Sequence, residues 1–132
     1  MDGKELVIRG LYDARARRDW DAVDALLTDE VRWHEPGDGD HSGHTRGREE
    51  VLSLLRRYVE VTDGTFQLEP EAFLHLTDHS AVVVRWWAER DGRRSEGREI
   101  AVYHLQGGTI DQVWFYNEPS DAEALSAVFA LD

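Results

Sequence analysis

The chain has 132 residues, 41% of them hydrophobic, which is enough for one core and argues against wholesale disorder. Its formal net charge of −12 argues against binding to nucleic acid or to an anionic membrane, because both need clustered Lys and Arg. The sequence contains no Cys, which excludes disulfides, thiolate metal sites and a cysteine nucleophile. A charged N-terminus without a long apolar run predicts a cytoplasmic protein, with a single domain over residues 1–132.

The first third of the chain predicts two helices and a strand. Apolar residues at helical spacing predict a helix from Lys4 to Arg18, with Arg15 and two further Arg placed to complement the helix dipole at its C-terminal end. A second short helix is predicted in "DWDAVDALL", with "TDE" closing it. The strand "VRWHE" follows, and Pro36 ends it because Pro cannot donate a ladder hydrogen bond.

The remaining chain predicts a polar loop, a helix, a strand meander and a last helix. Residues 37–47 are predicted to be a Gly-rich loop that leads into a helix over Arg48–Val61. Four strands are then predicted in "TFQLEPEAFLHL", "SAVVVRWWAER", "RSEGREIAVYHL" and "TIDQVWFYN", followed by the helix "DAEALSAVFAL". Helices followed by a meander predict an α+β fold, with helices covering one face of a curved sheet.

In order and spacing, these motifs resemble the SnoaL-like group of the nuclear transport factor two-like superfamily. The resemblance rests on "LYDARARRDWDAVDALL", "HEPG…G…RGREEV" and "VYHLQGGTIDQVW", and it covers nearly the whole chain. It implies a cone-shaped curved antiparallel sheet wrapped around N-terminal helices, a central cavity, and a homodimer formed through the outer sheet face. Family members include ketosteroid isomerases, polyketide cyclases, epoxide hydrolases and dehydratases, so the fold does not settle the function.

Two adjacent residues, His34 and Glu35, are the catalytic candidates that the resemblance implies. Glu35 matches the Asp before Pro that is the isomerases' general base, and His34 matches the His of a cyclase His-acid-Pro pattern. Desolvation in an apolar cavity can move the pKa of either group towards neutrality, so that it takes a proton next to a carbonyl. Neighbouring strand residues point to opposite faces, so only one of the two is expected to face the cavity. The other interpretation is a solvated Glu35 with His34 packed against Trp33.

Other family positions are occupied differently. The isomerases' oxyanion-donating Tyr corresponds to Leu11, with Tyr12 beside it, and their protonated Asp corresponds to Ala101, with Glu99 two residues earlier on the same strand face. These differences argue against ketosteroid isomerase activity. The acid that epoxide hydrolases need on the last strand falls near Asn117, which cannot act as a base.

Two functional hypotheses follow. The first is a cofactor-free enzyme that isomerises, cyclises, hydrates or dehydrates a small apolar carbonyl-type substrate by general acid/base chemistry. The residues expected to bind that substrate are Tyr12, Trp33, Glu99, Tyr103, Trp114 and Asn117. The second is a non-catalytic ligand-binding or dimeric scaffold protein that keeps the cavity.

No metal site is predicted. Ligand types do cluster early in the chain, at His34, Asp38, Asp40, His41 and His44. Most of them lie on the Gly-rich loop without helical i, i+4 spacing, so a polar mobile loop is the better interpretation.

The last strand is expected to divide its residues between the cavity and a subunit interface. Strict alternation places Ile110, Gln112, Trp114 and Tyr116 on one face. On the strand before it, Tyr103 is expected to face the pocket and His104 to point outwards, into the dimer contact.

Overall fold

The structure is a computed structural model that describes residues 2–37, 39 and 42–130. Its elements follow the predicted order, with one additional short strand. They are α1 (Gly3–Arg17), α2 (Trp20–Ala25), β1 (Leu27–Glu35), β2 (Gly43–Arg46), α3 (Arg48–Val61), β3 (Gln67–His75), β4 (His79–Arg90), β5 (Arg93–Gln106), β6 (Thr109–Asn117) and α4 (Pro119–Val128). Helices packed against a curved sheet confirm the predicted α+β class. None of the helices described is long and apolar enough to cross a membrane.

The six strands form one sheet in the order β2-β1-β6-β5-β4-β3. The meander β3 to β6 is antiparallel as predicted, but β1 pairs with β6 in parallel, so the sheet is mixed rather than wholly antiparallel. A parallel pair needs a long crossover connection, and the chain from β2 to β5 supplies it. This arrangement brings the end of β1 next to the end of β6.

Two boundaries differ from the prediction. "TDE", predicted to close the second helix, belongs to β1, which begins at Leu27 because this residue and Val31 are buried in the core. The predicted loop 37–47 contains β2, which pairs antiparallel with Arg32–Glu35. Asp38, Asp40 and His41 lie outside the described residues.

A β-bulge in β6 changes which residues share a face. His104 pairs with Gln112 and Leu105 with Ile110, so Asp111 is an extra residue on β6. The prediction that Ile110 shares a face with Gln112 and Trp114 was wrong, because a bulge interrupts strict alternation. Ile110 is instead buried with Val113 and Phe115, facing the helices. We call the helix-covered side of the sheet the inner face and the opposite side the outer face.

Candidate functional site

Of the two adjacent candidates, Glu35 lies on the inner face and His34 on the outer face. Trp33 and Glu35 are both buried, with 1% and 7% of their surface exposed, as strand alternation requires. The alternative in which Glu35 is a solvated strand end is therefore wrong. The end of β1 holds its carboxyl against α1 and α3, where the other polar groups of the interior converge.

A small cavity surrounds the Glu35 carboxyl. Its lining combines three charged groups with apolar and aromatic side chains from the strands, α3 and the terminal segment: Arg15, Trp33, Glu35, Tyr58, Phe66, Leu68, Glu99, Phe115, Leu125 and Phe129. The cavity volume is about 10 Å³, which is room for about one water molecule. In this closed form the cavity is too small for an organic substrate, and the terminal segment, through Leu125 and Phe129, forms part of its wall.

The cavity contains two buried carboxyls, Glu35 and Glu99, and one buried guanidinium, Arg15. Burial raises the pKa of Glu35 well above its usual range, the charge of Glu99 raises it further, and Arg15 opposes the shift. Burial likewise raises the pKa of Glu99 to about 7, again opposed by Arg15. Two acids with one cation in a low-dielectric interior favour a single shared negative charge near neutral pH.

Three polar atoms at this end of the sheet lack a hydrogen-bond partner among the described residues. Glu35 Oε2 and Trp33 Nε1 belong to cavity-lining side chains, and Asn117 Oδ1 lies across the strand from Glu99. A buried polar atom without a partner costs about 1–3 kcal/mol. A ligand that donates a hydrogen bond to the carboxylate, or accepts one from the indole N–H, would remove this cost and would therefore bind favourably.

Tyr12 and Tyr103 form a second buried polar group next to the carboxyls. Their hydroxyl oxygens lie 2.5 Å apart, which joins α1 to β5. Burial raises the pKa of both phenols, and the neighbouring Glu99 charge raises both further. Both therefore stay neutral and keep their protons. Tyr12, rather than its neighbour Leu11, brings a hydroxyl from the first helix to the interior.

Arg15 is the site residue that the sequence analysis missed. It was grouped with the Arg residues at the helix end, yet only 5% of its surface is exposed, and its guanidinium lies 5.8 Å from the centre of the Trp33 ring. Arg15 follows Leu11 by four residues and Tyr12 by three, so it continues the apolar stripe of α1. A charged residue in the stripe was the available signal.

His34 and Trp114 do not line the inner cavity that holds the Glu35 carboxyl; they line an open pocket at the end of β1 and β6, to which Glu35 also contributes, so the predicted single pocket is divided in two. On the outer face, the His34 ring stacks on Trp114 at 5.8 Å, its Nε2 lies 2.8 Å from Gln112 Nε2, and its Nδ1 contacts His44 Nδ1. Partial burial lowers the pKa of His34, and the neighbouring His44 and Arg32 lower it further. The predicted contact of His34 with Trp33 is replaced by the stack on Trp114, because consecutive strand residues diverge.

Comparisons with known proteins agree with the fold. Residues 8–113 match the SnoaL-like domain family. No curated protein matches the chain at a significant level. Among solved structures, Bal32a from a soil-derived mobile gene cassette has a TM-score of 0.90 at 24% identity, with 96% of each chain covered.

Two further structural neighbours were solved with small organic molecules. TerC, co-crystallised with polyporic acid, has a TM-score of 0.83 at 16% identity, with 96% of this chain and 99% of that chain covered. RV0760c from Mycobacterium tuberculosis, in complex with estradiol-17beta-hemisuccinate, has a TM-score of 0.79 at 17% identity, with 91% and 97% covered. At these identities the likeness establishes the fold alone.

Proposed function

The chain belongs to the SnoaL-like domain family, and on that premise we propose that it is a cofactor-free enzyme that transfers protons on a small apolar carbonyl-type substrate. The observation that carries this proposal is the pair of buried carboxyls, Glu35 and Glu99, held with one guanidinium, Arg15. A carboxyl with a pKa near neutrality is an efficient general acid or base at physiological pH. The reaction would be an isomerisation, a cyclisation, a hydration or a dehydration.

The pair would work as one unit. The ionised carboxyl takes a proton from the carbon next to the carbonyl, and the protonated carboxyl gives one to the substrate. Glu35 is the member whose Oε2 has no partner in the described part of the chain, so it is the more available to substrate. Developing charge on the carbonyl oxygen would be stabilised by a buried donor, and the indole N–H of Trp33 is available for this role.

Substrate entry requires the cavity to open. The terminal segment contributes Leu125 and Phe129 to its wall, and α4 is joined to the sheet at the Arg98 amide, which donates to the Asp121 carboxylate at 3.2 Å. Movement of this segment would enlarge the cavity, and it would break this contact with β5 and the hydrogen bonds that Arg90 of β4 donates to the carbonyls of Val128 and Ala130. That TerC was co-crystallised with polyporic acid and RV0760c was solved in complex with estradiol-17beta-hemisuccinate supports a small organic molecule as the ligand.

The small volume of the cavity favours a second candidate, a non-catalytic protein that binds a ligand or acts as a scaffold. In that case the carboxyl pair would be a structural feature, and no bond to hydrogen would be broken. We also propose that the chain is cytoplasmic and that it forms a homodimer through the outer sheet face. Sedimentation equilibrium tests whether the protein is a dimer in solution.

Exchange of substrate protons in D₂O distinguishes the two candidates. The protein is incubated with a panel of enolisable apolar ketones, and loss of the α-proton signal is followed by NMR. We expect faster exchange for at least one ketone with the wild type, and a fall of about 100-fold or more in Glu35→Gln, since general-base catalysis contributes on this scale. Glu30→Gln is the matched control, because Glu30 lies exposed on the same strand. Ligand binding without exchange would contradict catalysis and support the binding protein.

A further inference from the structure

We propose that Asp78, His79 and His104 bind a divalent transition-metal ion such as Zn²⁺ on the outer face of the sheet. One donor atom from each of the three residues lies within 4.8 Å of the other two. Two imidazoles and a carboxylate form a ligand set typical of zinc and related ions, with a fourth position left for water. This site is separate from the buried carboxyls and does not depend on their function.

The sheet itself brings the two imidazoles together. His79 begins β4 and is the direct cross-strand partner of His104 on β5, with ring centres 4.7 Å apart. The turn before β4 adds Asp78, whose backbone carbonyl accepts from the Leu105 amide at 3.2 Å. Both the pairing and the turn are fixed by backbone hydrogen bonds, so the three side chains converge before any ion binds.

The Asp78 carboxylate already lies between the two rings. One oxygen accepts from His79 Nδ1 at 2.9 Å, and the other is 3.7 Å from His104 Nε2. Zinc bonds of about 2.0–2.2 Å allow ligand atoms to be roughly 3.5–4 Å apart, so a closure of about 1 Å is needed. In the single chain the Asp78 side chain is 62% exposed and that of His79 is 38% exposed, so rotation about their side-chain bonds can supply this closure. A dimer through the outer face must therefore leave this end of β4 and β5 uncovered for the ion to bind.

Asp111 prepares His104 for this role. Its carboxylate accepts from His104 Nδ1, which leaves Nε2 directed towards Asp78. A carboxylate bonded to the distal nitrogen of a ligand His is a common second partner in metal sites, where it fixes the tautomer and the ring orientation. Asp111 is the extra residue of the β6 bulge, and bulges often redirect a side chain at functional sites. An ion pair between Asp78 and a His at the surface would form without the Asp111 carboxylate, whereas a metal site uses such a group to orient its His ligand.

Calorimetric titration of tag-free protein with ZnCl₂ in a non-chelating buffer tests the site. Slightly above neutral pH, where imidazole is mostly neutral, we expect one Zn²⁺ to bind per chain. His79→Gln and Asp78→Asn change exposed residues at the turn, and each should weaken binding by at least about 10-fold. Asp111→Asn should weaken it by about 10-fold, the lower end of the range for such supporting partners.

His34→Gln is the matched control, because it removes a different outer-face imidazole, one that contacts His44. Its Zn²⁺ affinity should stay within about twofold of the wild type. A measurement that needs no variant is the imidazole NMR spectrum, in which Zn²⁺ should shift the signals of His79 and His104 first. The proposal is overturned if the folded wild type binds no Zn²⁺, or if affinity is unchanged in both His79→Gln and Asp78→Asn.

Discussion

The inner and outer faces of the sheet hold ionisable side chains under opposite conditions, although these side chains alternate along the same strands. Glu35 directly follows His34, and His104 directly follows Tyr103, yet one member of each pair is buried and the other is in contact with solvent. Inside, burial raises the pKa of Glu99 to about 7 even though Arg15 opposes the shift. Outside, hydrogen bonding to His79 lowers the pKa of Asp78.

The difference shows which effect dominates on each side. The neutral form of Glu99 is favoured although the Arg15 guanidinium lines the same cavity. The free energy needed to remove the carboxylate from water is larger than the stabilisation that this cation provides. Asp78 has His79 and His104 as neighbours, and its pKa is lowered, because the hydrogen bond to His79 acts on a carboxylate that water also solvates. Exposure to solvent, more than the identity of the partner, therefore decides the protonation of these acids.

Removal of Arg15 should have the largest effect on the inner face. In Arg15→Met the two carboxyls lose the only cation among the described residues that line the cavity, and we expect a loss of about 3–5 kcal/mol in the free energy of unfolding above neutral pH. At about pH 5 the loss should be smaller, because both carboxyls are then largely protonated. Urea unfolding at the two pH values measures this.

The matched control for that change is Arg17→Met, on the exposed side of the same helix. Arg17 pairs with Asp13 and Asp19 at the surface, and such pairs contribute at most about 1 kcal/mol. An Arg15→Met loss that is equal at both pH values would show that packing, rather than charge, explains the role of Arg15.

The raised pKa of Glu99 predicts a stability that falls as pH rises. Because the pKa of Glu99 in the folded state, about 7, lies above the ordinary value of 4.5, the folded state binds more protons than the unfolded state between these values. Relative to Glu99→Gln, the wild type should therefore lose stability from about pH 4.5 to about pH 7, by an amount on the order of 3 kcal/mol. Urea unfolding across this range gives the difference curve.

Glu30→Gln controls for the loss of one surface acid on the curved sheet. Its pH profile should run parallel to that of the wild type, since Glu30 is exposed. A wild-type curve parallel to that of Glu99→Gln would mean that Glu99 titrates as a solvated carboxyl and that the inner face does not differ from the outer one.

The hydroxyl pair of Tyr12 and Tyr103 predicts a smaller, coupled effect. In Tyr12→Phe the buried Tyr103 hydroxyl loses its partner at 2.5 Å, which should cost about 1–3 kcal/mol. The double variant Tyr12→Phe/Tyr103→Phe should cost less than the sum of the single variants, because no orphaned hydroxyl remains. Additive losses in this double-mutant cycle would show that the two hydroxyls do not interact.

The fold was predictable where the hydrophobic pattern was strong. Helix α3 was predicted and found over Arg48–Val61, because its buried stripe is regular. Strand β2 was missed because "GHTR" is short and polar and lies at the sheet edge, where no buried face imposes alternation. The parallel β1–β6 pair is a long-range contact that no local pattern encodes.

The proposed metal site and the inner carboxyl site differ in how much of each could be predicted from the sequence. Asp91 and Gly92 form a two-residue turn with positive φ, and counting outwards from this hairpin signal pairs His79 with His104. The approach of Asp111 depends on a bulge, which the alternation could not reveal. Inside, the sequence predicted that His34 and Glu35 diverge, but it could not say which one is buried, since that depends on the direction of β1 relative to the helices.

The smallest predicted effect comes from His34 and has the opposite sign to that of Glu99. Burial lowers the pKa of His34 below 6.5, so the folded state binds fewer protons than the unfolded state just below that value. The stability that His34 contributes is lost as pH falls, whereas the stability that Glu99 contributes is lost as pH rises. Partial solvent exposure should limit the change in His34→Gln to well under 1 kcal/mol. Urea unfolding at about pH 5 and about pH 7 should show wild type losing slightly more stability on acidification than His34→Gln. The reverse order would mean that the pKa of His34 is raised, not lowered, in the folded protein.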